Sequence, residues 1–268
     1  MRQESRAGIV GIGLVILSVP ALLGHDSAAT NKVAPAKAVS AAESRTRAVS
    51  ALVRAQRFAG GSSQIQAIRD ITRTVELVQA RTGAKARQTI QIILPRTLRL
   101  TNSTGVQITA FFDGLKGWVQ TPWGIDDPLP GWQARAAEQD VFKQLEVLLI
   151  VDRQAEVQLA WVEPGGSQEP DADCIEVTSK VGGTVRLWID AKTGEPIRLE
   201  YPRITSRGPG PRVSDSYSDY RVVQGIRVPF RISSVEDGNA YMETLVTSIE
   251  YNKGLRFDDL ARLEPAKR

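Results

Sequence analysis

Between Cys174 and Tyr251 the chain is built almost wholly of runs in which apolar and polar residues alternate, separated by short turns. The stretch 187–204, LWIDAKTGEPIRLEYPRI, shows the pattern: two alternating runs flank a Lys-Thr-Gly-Glu turn. After the turn, Ile197, Leu199 and Tyr201 fall on one side, and Arg198 and Glu200 on the other. A period of two means a strand with one dry face and one wet face. The runs Cys174–Ser179, Val185–Asp190, Pro196–Tyr201, Val213–Val223, Arg227–Val235 and Tyr241–Tyr251 all carry it. A chain of this kind must find something to cover a long row of dry faces.

Upstream, Ile71–Gln79, Thr89–Leu94, Leu98–Asn102, Gly105–Phe112, Trp118–Thr121 and Glu156–Val162 also read as strands, at the spacing of antiparallel hairpins. Helical spacing is confined to two places. From Arg45 to Phe58, Val49, Leu52, Val53 and Phe58 share a face and Gly60-Gly61 stops the run, with a second short helix over Ser63–Arg69. Residues 133–151 contain no Pro or Gly and predict one long helix, with Val141, Leu145 and Leu148 on one face. Its apolar arc widens toward the C-terminal end, which calls for contact on more than one side. The segment 203–212, RITSRGPGPR, reads as an exposed basic loop.

Helices that do not alternate with strands argue against a parallel α/β fold. The expectation is a mainly β (α+β) domain: one large curved antiparallel sheet, or incomplete barrel, of eleven or twelve strands, with helices covering its concave face.

The N-terminus carries Arg2 and Arg6, then an apolar run from Ala7 to Gly24, then Ser27 and Ala29 at the small positions of a cleavage site. This is the pattern of a secretory signal over 1–29. An uncleaved inner-membrane anchor over 7–24 is the alternative. Either way the expected location is periplasmic or otherwise exported. Residues 30–44 read as a linker, 45–265 as the folded domain and 266–268 as a tail.

Composition then removes several functions. The net charge is +4, and the basic residues are scattered without a long basic block, so no nucleic acid is expected as partner. The single cysteine, Cys174, excludes an internal disulfide and a multi-cysteine metal site. The single histidine, His25, lies before the cleavage site, so the processed chain would have none. Histidine-dependent nucleophilic catalysis is thereby removed. Cys174 alternates with Ile175 and Val177 and reads as buried and inert. The pairs Asp126-Asp127 and Asp258-Asp259 read as solvated turn residues. No catalytic residue, metal or cofactor is expected. Among the five tryptophans, Trp161 and Trp188 sit in strands as packing residues, whereas Trp123 and Trp132 flank the loop into the long helix, where they could line the mouth of a cavity.

Five stretches, in order, resemble the LolA/LolB type of lipoprotein-sorting protein. They are Pro95-Arg96-Thr97-Leu98-Arg99; Asp113-Gly114 followed by Trp118 and Pro122; Trp188–Arg198; Tyr220–Ile232; and the closing SIEYNKGLRFDD. The resemblance covers roughly Val49 to Pro265. It implies an incomplete, strongly curved β-barrel plugged by a helical lid, with space between them for acyl chains. The cavity walls would then come from Ile90, Ile92, Leu94, Ile108, Val157, Leu159, Ile197, Leu199, Tyr201, Val228 and Phe230. Val141, Leu145 and Leu148 would supply the lid, and Arg99, at the matching strand position, would hold it by hydrogen bonds. The function so implied is a non-enzymatic, carrier-like envelope protein. Its partners would be lipid or lipoprotein acyl chains and inner- or outer-membrane envelope proteins. The alternatives from the residues alone are an envelope docking module with a filled core, or an enzyme using carboxylates on polysaccharide.

Overall fold

The computed structural model describes residues 40–104, 106–163, 171–180 and 182–263. The expected signal over 1–29, the linker residues 30–39, the loop 164–170 and the tail 266–268 lie outside them.

The described residues form one antiparallel sheet of thirteen strands, built as two meanders. The first runs β1 (Asp70–Gln79), β2 (Lys85–Ile93), β3 (Thr97–Asn102), β4 (Thr109–Phe112), β5 (Gly117–Thr121) and β6 (Gly124–Asp126). The second runs β7 (Val157–Val162), β8 (Ala172–Ser179), β9 (Gly183–Asp190), β10 (Pro196–Thr205), β11 (Gly208–Val223), β12 (Ile226–Glu236) and β13 (Asn239–Tyr251). They join where β13 pairs with β1, so β6 and β7 are the two outer edges and the sheet does not close into a barrel.

This topology explains the helices that cross the sheet. The chain leaves β6 at one edge and must re-enter as β7 at the other. The connecting segment therefore crosses the sheet. It carries α3 (Gly131–Phe142), α4 (Leu145–Leu148) and a 3₁₀ turn (Val151–Arg153). Helix α3 touches both β3 and β10, which lie six strand spacings apart. On a flat sheet that is about 29 Å, far more than the ~10 Å width of a helix. The sheet is therefore curled around α3.

A second helix, α1 (Ala41–Phe58), covers the β7–β9 end. Ser40 caps it, its hydroxyl accepting from the Glu43 amide at 3.2 Å. Ala48, Ala51, Leu52 and Ala55 are fully buried against the sheet. The chain leaves α1 through Gly60, at φ +110°, where a Cβ would lie 2.2 Å from the Gly225 carbonyl oxygen; only glycine fits. A short helix, α2 (Ser62–Gln66), then leads into β1. On the convex face, α5 (Phe257–Ala261) packs Leu260 against Phe111 and Trp118.

The structure departs from the sequence reading in several elements, among them an unexpected helix α5. The long helix over 133–151 is broken at Lys143 and Gln144, because both side chains and Glu146 reach polar groups on the sheet. The segment 203–212 is not a loop: β10 and β11 run through it and turn at Ser206-Arg207. Pro209 and Pro211 sit in β11, whose extended backbone suits their fixed φ. The strand expected to start at Gly105 starts at Thr109. The strand missing from the expected twelve is β6, three exposed residues too short to show a period.

Candidate functional site

The concave face is lined by alternate residues of successive strands. Ile71, Arg73, Val75 and Leu77 on β1 stand opposite Ile92, Ile90, Gln88 and Ala86 on β2. Ile92 and Ile90 in turn stand opposite Leu98 and Leu100 on β3. On the other wing, Leu199 and Tyr201 of β10 stand opposite Asp215 and Val213 of β11, and Tyr217 stands opposite Ile232 of β12. Burying each large aliphatic side chain here contributes about 1.5–3 kcal/mol.

Between this surface and α3 lies a cavity of about 610 Å³. Its apolar walls are Val75, Leu77, Ile90, Leu98 and Leu100 on one wing, and Val213, Ile232, Met242 and Val246 on the other. Trp132, Ala136 and Leu145 roof it from the crossing segment. A second cavity of about 360 Å³ lies beyond α3, among Pro95, Phe112, Val141, Phe142, Val147 and Val157.

The 610 Å³ cavity is not apolar throughout. Where α3 ends, Lys143 Nζ contacts Asp140 Oδ1 at 2.8 Å, donates to the Tyr201 hydroxyl at 3.2 Å and lies over the Tyr201 ring. The Tyr201 hydroxyl donates to Asp215 Oδ2 (3.0 Å), and Ser234 donates to Asp215 Oδ1 (2.6 Å). Burial alone would lower the pKa of Lys143. Asp140, with Tyr201 and Asp215, outweighs it and holds the ammonium well above its ordinary range. Burial raises the Asp140 pKa, and Lys143 offsets only part of that. Burial and the neighbouring Asp215 push the Tyr201 and Tyr217 phenols up.

A second polar connection pins the other side of the helix break. Arg73 donates to Gln144 Oε1 (2.8 Å) and pairs with Glu146 Oε1 (2.6 Å), which also accepts from the Tyr251 hydroxyl (2.8 Å). Glu146 is 1% exposed. Burial disfavours the Arg73 charge, but Glu146 outweighs it and raises the Arg73 pKa, so the guanidinium stays charged. The elbow between α3 and α4 is thus tied to β10–β11 through Lys143 and to β1 and β13 through Arg73 and Glu146.

Of the side chains expected from the sequence, Ile90, Tyr201 and the lid residue Leu145 line the 610 Å³ cavity. Val157 and the lid residue Val141 line the smaller one. Ile92, Leu159, Leu199, Val228, Phe230 and the lid residue Leu148 are buried in the main core, and Leu94 and Ile108 are half-buried against it. Ile197 is corrected: a bulge between Pro196 and Arg198 shifts the strand phase, and Ile197 packs on Cys174 and Trp188 in a separate cluster.

Arg99 is corrected too. It alternates with Leu98 and Leu100 and so points to the opposite face, where it donates to the Leu260 and Arg262 carbonyls and lies over Trp118. The strand arginine that holds the crossing segment is Arg73. Its signal in the sequence was a charge in phase with Ile71, Val75 and Leu77. Trp132 lines the cavity, whereas Trp123 is 71% exposed. Cys174 is buried, and burial pushes its thiol up to about 12, so it stays protonated and inert.

No protein-family model matches the chain, and none of the curated proteins matches it in sequence. Solved structures do share its architecture. A LolA superfamily protein from Nitrosomonas europaea superposes with a TM-score of 0.55 at 14% identity, over 80% of this chain and 97% of that one. An outer membrane lipoprotein-sorting protein domain from Vibrio parahaemolyticus gives 0.51 at 10% identity, over 80% and 97%. A DUF1329 family protein from Desulfovibrio piger gives 0.50 at 14% identity, over 80% and 98%. The chain therefore has the LolA-like fold.

Proposed function

We propose that this protein is an exported, non-enzymatic carrier that takes an acyl chain of a lipid or lipoprotein into the cavity under α3. The observation that carries the reading is the 610 Å³ cavity itself, which falls within the size range of small-molecule sites and has aliphatic walls on both wings. Each methylene transferred from water contributes about 0.8 kcal/mol. Ten of them give on the order of 8 kcal/mol, the free energy of a roughly micromolar Kd. The space thus suffices to hold a lipid tail outside a bilayer. The signal pattern over 1–29 supports export, and the shared fold of proteins described as lipoprotein-sorting supports a carrier role in the envelope. Among the described residues no helix is long and apolar enough to cross a membrane. Envelope proteins of the inner or outer membrane are the expected donors and acceptors.

The test is native mass spectrometry of the gently purified chain for co-purifying lipid, together with titration by the uncharged dye N-phenylnaphthylamine. Retained lipid, or saturable dye fluorescence that added lipid displaces, is the expected result. If neither is seen, the carrier reading falls and the fold is a docking module whose interior serves packing alone.

A further inference from the structure

The cavity's charges carry information about what can enter it. Three cations line it: Arg73, Lys143 and Arg203. Each already has a carboxylate of its own. Arg73 pairs with Glu146 (2.6 Å), Arg203 with Glu236 (2.6 Å) and Lys143 with Asp140 (2.8 Å). Asp215 is then one carboxylate in excess. It lies in the same cluster, held by the neutral donors Tyr201 and Ser234. Asp140 has acceptor capacity to spare: among the described residues no donor reaches its buried Oδ2.

From this surplus we infer that the cavity selects amphiphiles by head group, accepting uncharged or amine heads that donate hydrogen bonds and rejecting anionic ones. An anionic head entering under α3 would lose its water. It would then face a cluster of one ammonium and two carboxylates, and Arg73, whose Nε has no acceptor among the described residues, is a guanidinium already paired to Glu146. A hydroxyl, amide or amine head brings a donor for the unpartnered Asp140 Oδ2. The inference rests on the carrier reading and refines it by naming the ligand's chemistry.

Three single-chain amphiphiles of equal tail length separate the cases: laurate, monolaurin and dodecylamine. Each is titrated near neutral pH, below its micelle concentration, against delipidated protein loaded with N-phenylnaphthylamine. Monolaurin and dodecylamine are expected to displace the dye with a Kd at least about tenfold lower than laurate's, a difference of about 1.4 kcal/mol. In a D140N/D215N variant shown folded by its thermal transition, laurate should gain relative to monolaurin and dodecylamine, closing most of that factor. Should the variant not fold, the wild-type ratio decides alone. If laurate binds wild-type protein as tightly as monolaurin does, or the folded variant leaves the ratio unchanged, the head-group inference is wrong while the carrier stands. If the dye and all three amphiphiles fail to bind, the carrier reading falls and takes the inference with it.

Discussion

The two ends of the concave face are covered in different ways. Over β7–β9, α1 sits directly on the sheet with Ala48, Ala51, Leu52 and Ala55, and Ile175, Val177, Val185, Leu187 and Ile189 of β8 and β9 are likewise essentially inaccessible to solvent. Small helix residues bring the backbones close, and these side chains line neither of the two cavities described above. Over β10–β13 and β1–β3, α3 and its elbow present Trp132, Gln139, Asp140, Lys143 and Gln144, and the space beneath stays open. Both coverings bury apolar side chains, and the central one adds a set of buried polar ties at its elbow. Apolar packing is non-directional and strong in sum. Polar ties of this sort contribute little net stability when intact and are costly when half broken. The α1 end is thus the tightly packed part, and on the proposed carrier reading the α3 centre is where a ligand would exchange.

The largest expected effect comes from half breaking a tie. Arg73→Met strands the Glu146 carboxylate in the core. It should destabilise the protein by about 3–5 kcal/mol. Because the elbow loses its hold on β1, dye should also enter and leave faster. Urea unfolding and stopped-flow fluorescence check the two parts. Loss of stability without faster exchange would mean that Arg73 supports the core and does not hold the lid.

Leu52→Ala attacks the other covering. A fully buried leucine truncated to alanine should cost about 2–5 kcal/mol. Dye affinity, measured on the folded fraction, should stay unchanged, because Leu52 belongs to α1 and does not line the cavity. A Kd that moves with Leu52→Ala would couple the two ends and break the division drawn between them.

A matched pair of insertions sharpens the contrast further. Ile175→Phe puts extra volume where no space exists, and overpacking there should cost about 1–3 kcal/mol. Ile90→Phe puts the same volume into the cavity. Its stability change should be smaller, while dye binding weakens by about tenfold, equivalent to about 1.4 kcal/mol. Equal destabilisation by both would mean that the central space closes in solution.

The division between the two ends was only partly legible in the sequence. The strands were, because alternation reports a half-buried face whatever lies above it. The position of Tyr201 followed from the same phase as Leu199. Ile197 did not, because a bulge changes the phase without a sequence mark. The helix over 133–151 looked continuous because its residues carry no breaker. The break comes from what Lys143, Gln144 and Glu146 reach across the cavity, and no local propensity encodes that. For the same reason nothing in the sequence singled out Asp140 and Lys143, over which the curled sheet closes. Arg73 and Arg99 were both strand arginines, and only the phase of Leu98 and Leu100 against Arg99 could have told them apart.

The smallest effect concerns pH and isolates one carboxyl in the central tie. Burial raises the folded-state pKa of Asp140 above its ordinary value of 3.8, with Lys143 opposing and Asp215 adding. A raised folded pKa means that the folded protein binds the proton more tightly than the unfolded chain does. The stability it contributes is fully present below 3.8 and is lost as pH rises through the raised value. Asp140→Asn cannot titrate, so the stability of wild type relative to this variant should increase as pH falls through that window and level off below it. Urea midpoints across the acid range test this. Lys143 acts in a separate window, since its raised pKa places any loss of its contribution above 10.5. A difference that shrinks on acidification would mean that the ionised form of Asp140 is the one the fold prefers. The Lys143 pair would then outweigh burial, and the central tie would be a net stabilising element like the apolar covering of α1.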